Sequence, residues 1–153
     1  MKEFDYYIFI DFSENLIGYN IIEDEKLKNI LPKISKFAHY KQLRHKRAYL
    51  HSIKNRIEKE KILSYFLKHK IRELYKNAEI YTDVLEFVKK NENCIIFISI
   101  DNRQYKAFNK LVGFVDGKRV VVKKESELLK GTPEYQASLV LDTLLNIERN
   151  KQK

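Results

Sequence analysis

With 153 residues, 44% of them apolar and 33% charged, the chain is long enough for one domain with a real core and is globular in composition, not disordered. It carries a net charge of +9, and no stretch approaches the ~18–20 apolar residues a membrane helix needs. The single Cys94 excludes an internal disulfide, and four glycines without a glycine-rich phosphate loop exclude the P-loop and dinucleotide fingerprints.

The opening Met1-Lys2-Glu3-Phe4-Asp5 has acids where a secretory leader has none, so a cytoplasmic protein is expected. Residues 4–11, aromatic and β-branched almost throughout, read as a buried strand. Residues 12–15 read as a turn and 16–22 as the second arm of a hairpin. After a charged loop at 23–26, Leu27, Ile30, Leu31 and Ile34 have helical spacing, interrupted by Pro32. Residues 41–53 are ambiguous between strand and helix. From Lys54 to Lys76 the spacing predicts a helix roughly 34 Å long at ~1.5 Å per residue. Leu63, Phe66, Leu67, Ile71 and Leu74 would form its apolar face, with Lys54, Glu58, Lys61, Tyr65, Lys68, Arg72 and Lys76 opposite.

A further helix is expected at 80–90, with Thr82 as N-cap. A second buried strand follows at 94–100, ending at Asp101, with Cys94 as one of its core residues. Asn102–Leu111 reads as a short helix. Asp116-Gly117, between 112–115 and 118–122, reads as a two-residue hairpin turn. Thr132-Pro133-Glu134 opens a last helix to about Arg149, with Thr132 as N-cap and Pro133 in the first turn. The expected fold is a single α/β domain over 1–153, a mixed sheet with flanking helices and a basic helical segment at 39–76.

The positive charge is concentrated. Between His39 and Arg72 eleven Lys/Arg face two acids, a net of +9, while the remaining 19 basic and 19 acidic residues cancel. All four histidines lie in the same segment, without metal-ligand spacing. A neutral body with one basic block points to a polyanion, nucleic acid first. Lys41, Arg44, Lys46, Arg47, Lys54, Lys61, Lys68 and Arg72 are the candidate phosphate contacts, with Tyr65 positioned to stack on a base. An acidic protein partner is the competing explanation, which salt-dependent binding to random-sequence nucleic acid would separate.

Acids also end the apolar strands. If the strands ending at Asp11 and Asp101 are parallel neighbours, both carboxylates sit at one sheet edge, where ligands of open α/β sheets collect. Carboxylates there suit Mg²⁺ or Mn²⁺, with Asp11 and Asp101 as the metal ligands. The ordinary role of such an Asp is to cap a turn.

Residues 9–23, Phe-Ile-Asp-Phe-Ser-Glu-Asn-Leu-Ile-Gly-Tyr-Asn-Ile-Ile-Glu, resemble the opening of the RNase H-like superfamily, especially its RuvC-type branch. There a first-strand Asp is followed by a short turn and a Gly-aromatic second strand. The resemblance implies an RNase H-like fold and a two-metal nuclease, or a non-catalytic relative. Its acids would map onto Asp11, Glu58 or Glu73, Asp101, and Asp142 on the last helix. Asp11, Asp101 and Asp142 are thus the candidate catalytic residues. Asp142 lies off the stripe of Ala137, Val140, Leu141, Leu144 and Leu145, and by that pattern belongs on the solvated surface. A PIN-type nuclease also opens on a strand-ending Asp but places its helical Asp before the late strand-ending one, the reverse of the order here. The function expected is nucleic-acid binding with divalent-metal phosphodiester cleavage; the alternative is a non-enzymatic DNA- or RNA-binding module docking through 39–76.

Overall fold

In the computed structural model, which describes residues 3–100, 102–115 and 120–151, the first apolar run forms β1 (Tyr6–Ser13). It turns at Glu14-Asn15 into the antiparallel β2 (Leu16–Glu23), with Ser13 opposite Leu16 and Glu14 at φ 52°. The turn is two residues shorter than the sequence suggests, because Phe12 and Ser13 still pair with β2. Helices α1 (Asp24–Ile34) and α2 (Lys46–Lys59) lead to β3 (Lys68–Glu73), which pairs antiparallel with β2. Then α3 (Asn77–Lys90), β4 (Cys94–Ile98), α4 (Asn102–Val115), β5 (Val120–Lys124) and α5 (Pro133–Lys151) complete the chain. β4 lies parallel to β1 and β5 parallel to β4, giving the order β3-β2-β1-β4-β5. This is the expected mixed sheet with flanking helices, and among the described residues no helix is long and apolar enough to cross a membrane.

Strand alternation builds two cores. Tyr7, Phe9, Leu16 and Ile22 face one side and pack with α1, α2 and α5; Ile8, Ile10, Ile17 and Ile21 face the other and pack with α3 and α4. The last helix begins as expected, the Thr132 hydroxyl accepting the Tyr135 N–H at 3.2 Å. α3 instead starts at Asn77, so Thr82 lies within it.

Two expectations fail. The helix at 54–76 does not form. α2 ends at Lys59, Lys61 takes a left-handed conformation at φ 52°, and 68–73 is an edge strand. The segment 39–76 is therefore only partly helical, and Lys54, Lys61, Tyr65, Lys68 and Arg72 share no helix face. Lysines along an unpaired sheet edge oppose edge-to-edge aggregation. Nor do 112–115 form a hairpin arm: they continue α4, with Phe108 and Val112 buried one turn apart, and β5 pairs with β4 instead. The expected Asp116-Gly117 turn lies outside the described residues.

Gly18 on β2, opposite Asp11, sets how closely α5 approaches the sheet. A β-carbon there would lie 3.1 Å from both the Lys70 carbonyl oxygen and Ile71, and 3.2 Å from the Leu141 side chain. Gly18→Val is expected to destabilise the fold by about 1–3 kcal/mol through overpacking, read by urea unfolding. A second change acts in the opposite sense. Asn20 is fully buried and its side-chain amide has no hydrogen-bond partner among the described residues. Asn20→Leu, similar in shape, is expected to stabilise the protein by about 1–3 kcal/mol; a lower urea midpoint would show that the amide is needed.

Candidate functional site

Because β1, β4 and β5 run parallel, their C-terminal ends share one edge of the sheet. Asp11 lies near the end of β1, on the face of Phe9 that meets α5, and is buried. One of its carboxylate oxygens accepts the Phe12 N–H at 2.8 Å. Ser99 follows β4, tied in by its N–H to the Ile10 carbonyl at 3.0 Å. Its side chain lowers the proton affinity of both Asp11 and Glu125, the latter opening a short 3₁₀ turn after β5. From α5, Asp142 joins them: its Oδ2 accepts the Tyr40 N–H at 2.9 Å, and its backbone carbonyl accepts the Asn146 amide at 2.8 Å.

These carboxylates oppose one another. Burial pushes the Asp11 carboxyl well above the usual range, and Glu125 and Asp142 push it further; the Phe12 N–H and Ser99 only partly offset this. Burial also raises Glu125, with Asp142 adding to it, against Ser99, His39 and Lys41. Buried acids in this state favour a proton or a cation among them. The donors are the hard oxygens that Mg²⁺ and Mn²⁺ take. Among the described residues, however, no three Asp, Glu, His or Cys side chains are grouped to hold one ion as they stand. Asp101 lies outside the described residues.

Two solved structures are similar in fold. The ribonuclease H2 of Pyrococcus horikoshii OT3 superposes with a TM-score of 0.57 at 12% identity, over 97% of this chain and 76% of that one. The RNase HII of Archaeoglobus fulgidus, solved in complex with PCNA, superposes with a TM-score of 0.52 at 13% identity, over 95% and 72%. The chain has an RNase H-like fold. No protein-family model and no curated protein sequence matches it.

On the RNase H-like fold the predicted basic residues divide into two groups. Lys41, Arg44, Lys46 and Arg47 are exposed on the 40–42 turn and the start of α2, next to the Tyr40 amide that holds Asp142. Lys54 is exposed farther along α2. The second group is engaged elsewhere. Arg72 pairs with Glu79 at 2.9 Å, and Lys70 pairs with Glu79 at 3.3 Å and Asp83 at 2.6 Å. Tyr65 lies under the Lys33 ammonium and packs on the core. Lys61 and Lys68 are exposed at a chain reversal and on the edge strand.

Asp142 is a correction in placement: it is buried, not on the solvated surface. α5 crosses the sheet under α1, α2 and the 40–42 turn, so residues off its apolar stripe are enclosed as well. Glu58 is exposed on α2 and Glu73 exposed at the end of β3, where neither joins the cluster. Glu125, Ser99, His39 and Arg149 were not singled out from the sequence. Glu125 follows an apolar run just as Asp11 and Asp101 do, and reading 120–124 as a parallel strand would have found it.

Proposed function

We propose that this chain acts on nucleic acid and hydrolyses phosphodiester bonds with Mg²⁺ or Mn²⁺. The observation that carries the reading is the gathering of the buried carboxylates of β1 and α5 with the half-buried Glu125 of the turn after β5, near the exposed cations of 41–47. Asp11 and Asp101 would hold the cation, with Glu125 and Asp142 adding negative charge at the same edge; when bound, it would activate water and stabilise the leaving oxygen. Lys41, Arg44, Lys46 and Arg47 neutralise strand phosphates and keep the strand along the carboxylate edge. The Tyr40 N–H and Asn146 hold Asp142 and its helix turn in place. Ser99 favours the charged forms of Asp11 and Glu125, with one hydroxyl proton to offer. The similarity to ribonucleases makes RNA strands, alone or paired with DNA, the first substrates to test.

One fact favours the second reading, a non-enzymatic binding module: no three ligands are grouped as they stand among the described residues. Incubating the protein with labelled RNA, DNA and RNA–DNA hybrid in Mg²⁺, Mn²⁺ or EDTA separates the two. Cleavage that requires a divalent cation supports the nuclease. Salt-sensitive binding without cleavage on every substrate supports the module and overturns the nuclease.

A further inference from the structure

Resting on that reading for the identity of its ligand, we propose that the cleft between the β1–β2 turn, the 40–42 turn and α5 is a seat for one backbone phosphate of a bound strand. The cleft has a volume of about 370 Å³, and Ser13, Tyr40, Lys41, Lys46, Asn146 and Arg149 line it. Three cations thus meet in one recess. The Tyr40 ring braces two of them, with the Lys46 Nζ 5.8 Å and the Arg149 Cζ 5.4 Å from its centroid.

Arg149 is fixed from two further sides. One guanidinium nitrogen donates to Glu14 Oε1 at 2.7 Å and another to Asn146 Oδ1 at 2.7 Å; Asn146 Oδ1 also accepts the Ser13 hydroxyl at 3.2 Å. The Nε of Arg149 is buried without a partner among the described residues. Among the described residues Glu14 is the one acid lining the recess, and its side chain is 62% exposed, so it offsets one of three positive charges from the rim. A recess with two surplus positive charges suits a tetrahedral anion.

Tyr40 ties this recess to the carboxylates: its N–H holds Asp142 while its ring holds Lys46 and Arg149. An anion here therefore lies one residue's thickness from the carboxylate edge and continues the exposed cations of 44–47. A strand carrying evenly spaced phosphates fits that continuity, which a free anion does not require. The seat would fix the register of the strand by holding a phosphate next to the one presented to Asp11.

The test uses the full chain in EDTA, so that binding is read without cleavage. Inorganic phosphate is titrated while backbone amide resonances are followed. The affinity of a single-stranded oligonucleotide is measured against salt for the wild type, Lys46→Gln and the control Lys61→Gln. Lys46 is exposed and leaves the fold intact when neutralised. Phosphate should shift the amides of Ser13, Tyr40, Lys46 and Arg149. Lys46→Gln should weaken the oligonucleotide several-fold and reduce the slope of log K against log salt by about 0.7, with Lys61→Gln unchanged. An unchanged slope in Lys46→Gln, with phosphate shifts elsewhere, overturns the seat and leaves the proposed function standing. Phosphate shifts in the cleft with no oligonucleotide binding leave an anion seat and overturn both its assignment to nucleic acid and the proposed function.

Discussion

Asp11→Asn is expected to stabilise the protein at neutral pH in metal-free solution, and at the same time to abolish divalent-dependent cleavage. Asp11 is buried among Glu125 and Asp142, faced by His39 and Lys41 only through Glu125, and its carboxyl is held well above the usual value of ~3.9. The folded state therefore keeps the proton longer than the unfolded chain does. Stability from this group is fully present below the unfolded value and is lost as pH rises through the folded one. Asparagine keeps the shape and removes that loss. At Asp83 the balance is opposite: burial pushes it up, but Lys70 and Tyr19 outweigh burial and hold it low, so it favours the fold at higher pH. The readout is thus the difference between variant and wild type. Urea unfolding at pH 5 and pH 7.5 should show that difference growing with pH. Adding Mg²⁺ should narrow it, because a ligand of the folded state stabilises the wild type alone. A variant less stable than wild type at neutral pH in EDTA would contradict the electrostatic account. Cleavage surviving in it would contradict the mechanism.

Reversing Arg44 and Arg47 to Glu should weaken nucleic-acid binding roughly tenfold or more and lower the salt slope by about 1–2, since each neutralised phosphate contributes about 0.7–0.9. Reversing Lys61 and Lys68 should change it by less than about twofold. The first pair follows the 40–42 turn, whose Tyr40 N–H holds Asp142. The second lies at a chain reversal and on a sheet edge whose other cations are already paired with Glu79 and Asp83. Fluorescence anisotropy over a salt series measures both. Equal losses in the two double variants would mean that the basic segment acts through its total charge, not through its position.

The parts of the fold legible in the sequence are those whose signals are local. β1 and β4 are apolar on both faces because helices cover both sides of the sheet, and such runs have few other uses. α5 announces itself by Thr132 and Pro133. The segment at 54–76 misleads because Leu63, Phe66, Leu67 and Ile71 satisfy a helical period by coincidence. What decides its structure is non-local: β2 offers a free edge from Leu16 to Ile21, and 68–73 pairs with it despite four charged residues. Asp116-Gly117 misleads in the same way, since a turn signal says nothing about which strand the following residues join. That error hid Glu125. The stripe of Ala137, Val140, Leu141, Leu144 and Leu145 puts Asp142 on the open side of a one-faced helix, whereas α5 is enclosed on most of its sides. The chemistry of the site was therefore visible as residue types, and its membership was set by packing.

The central claim, that a divalent cation sits at this carboxylate edge, is tested most directly by titrating Mn²⁺ into the isotope-labelled protein and mapping the paramagnetic broadening of backbone amides. The account predicts broadening centred on Asp11, Phe12, Ser99, Glu125 and Asp142 at substoichiometric Mn²⁺, reversed by Mg²⁺ and absent in Asp11→Asn. Broadening centred elsewhere, or none at millimolar Mn²⁺, would contradict it.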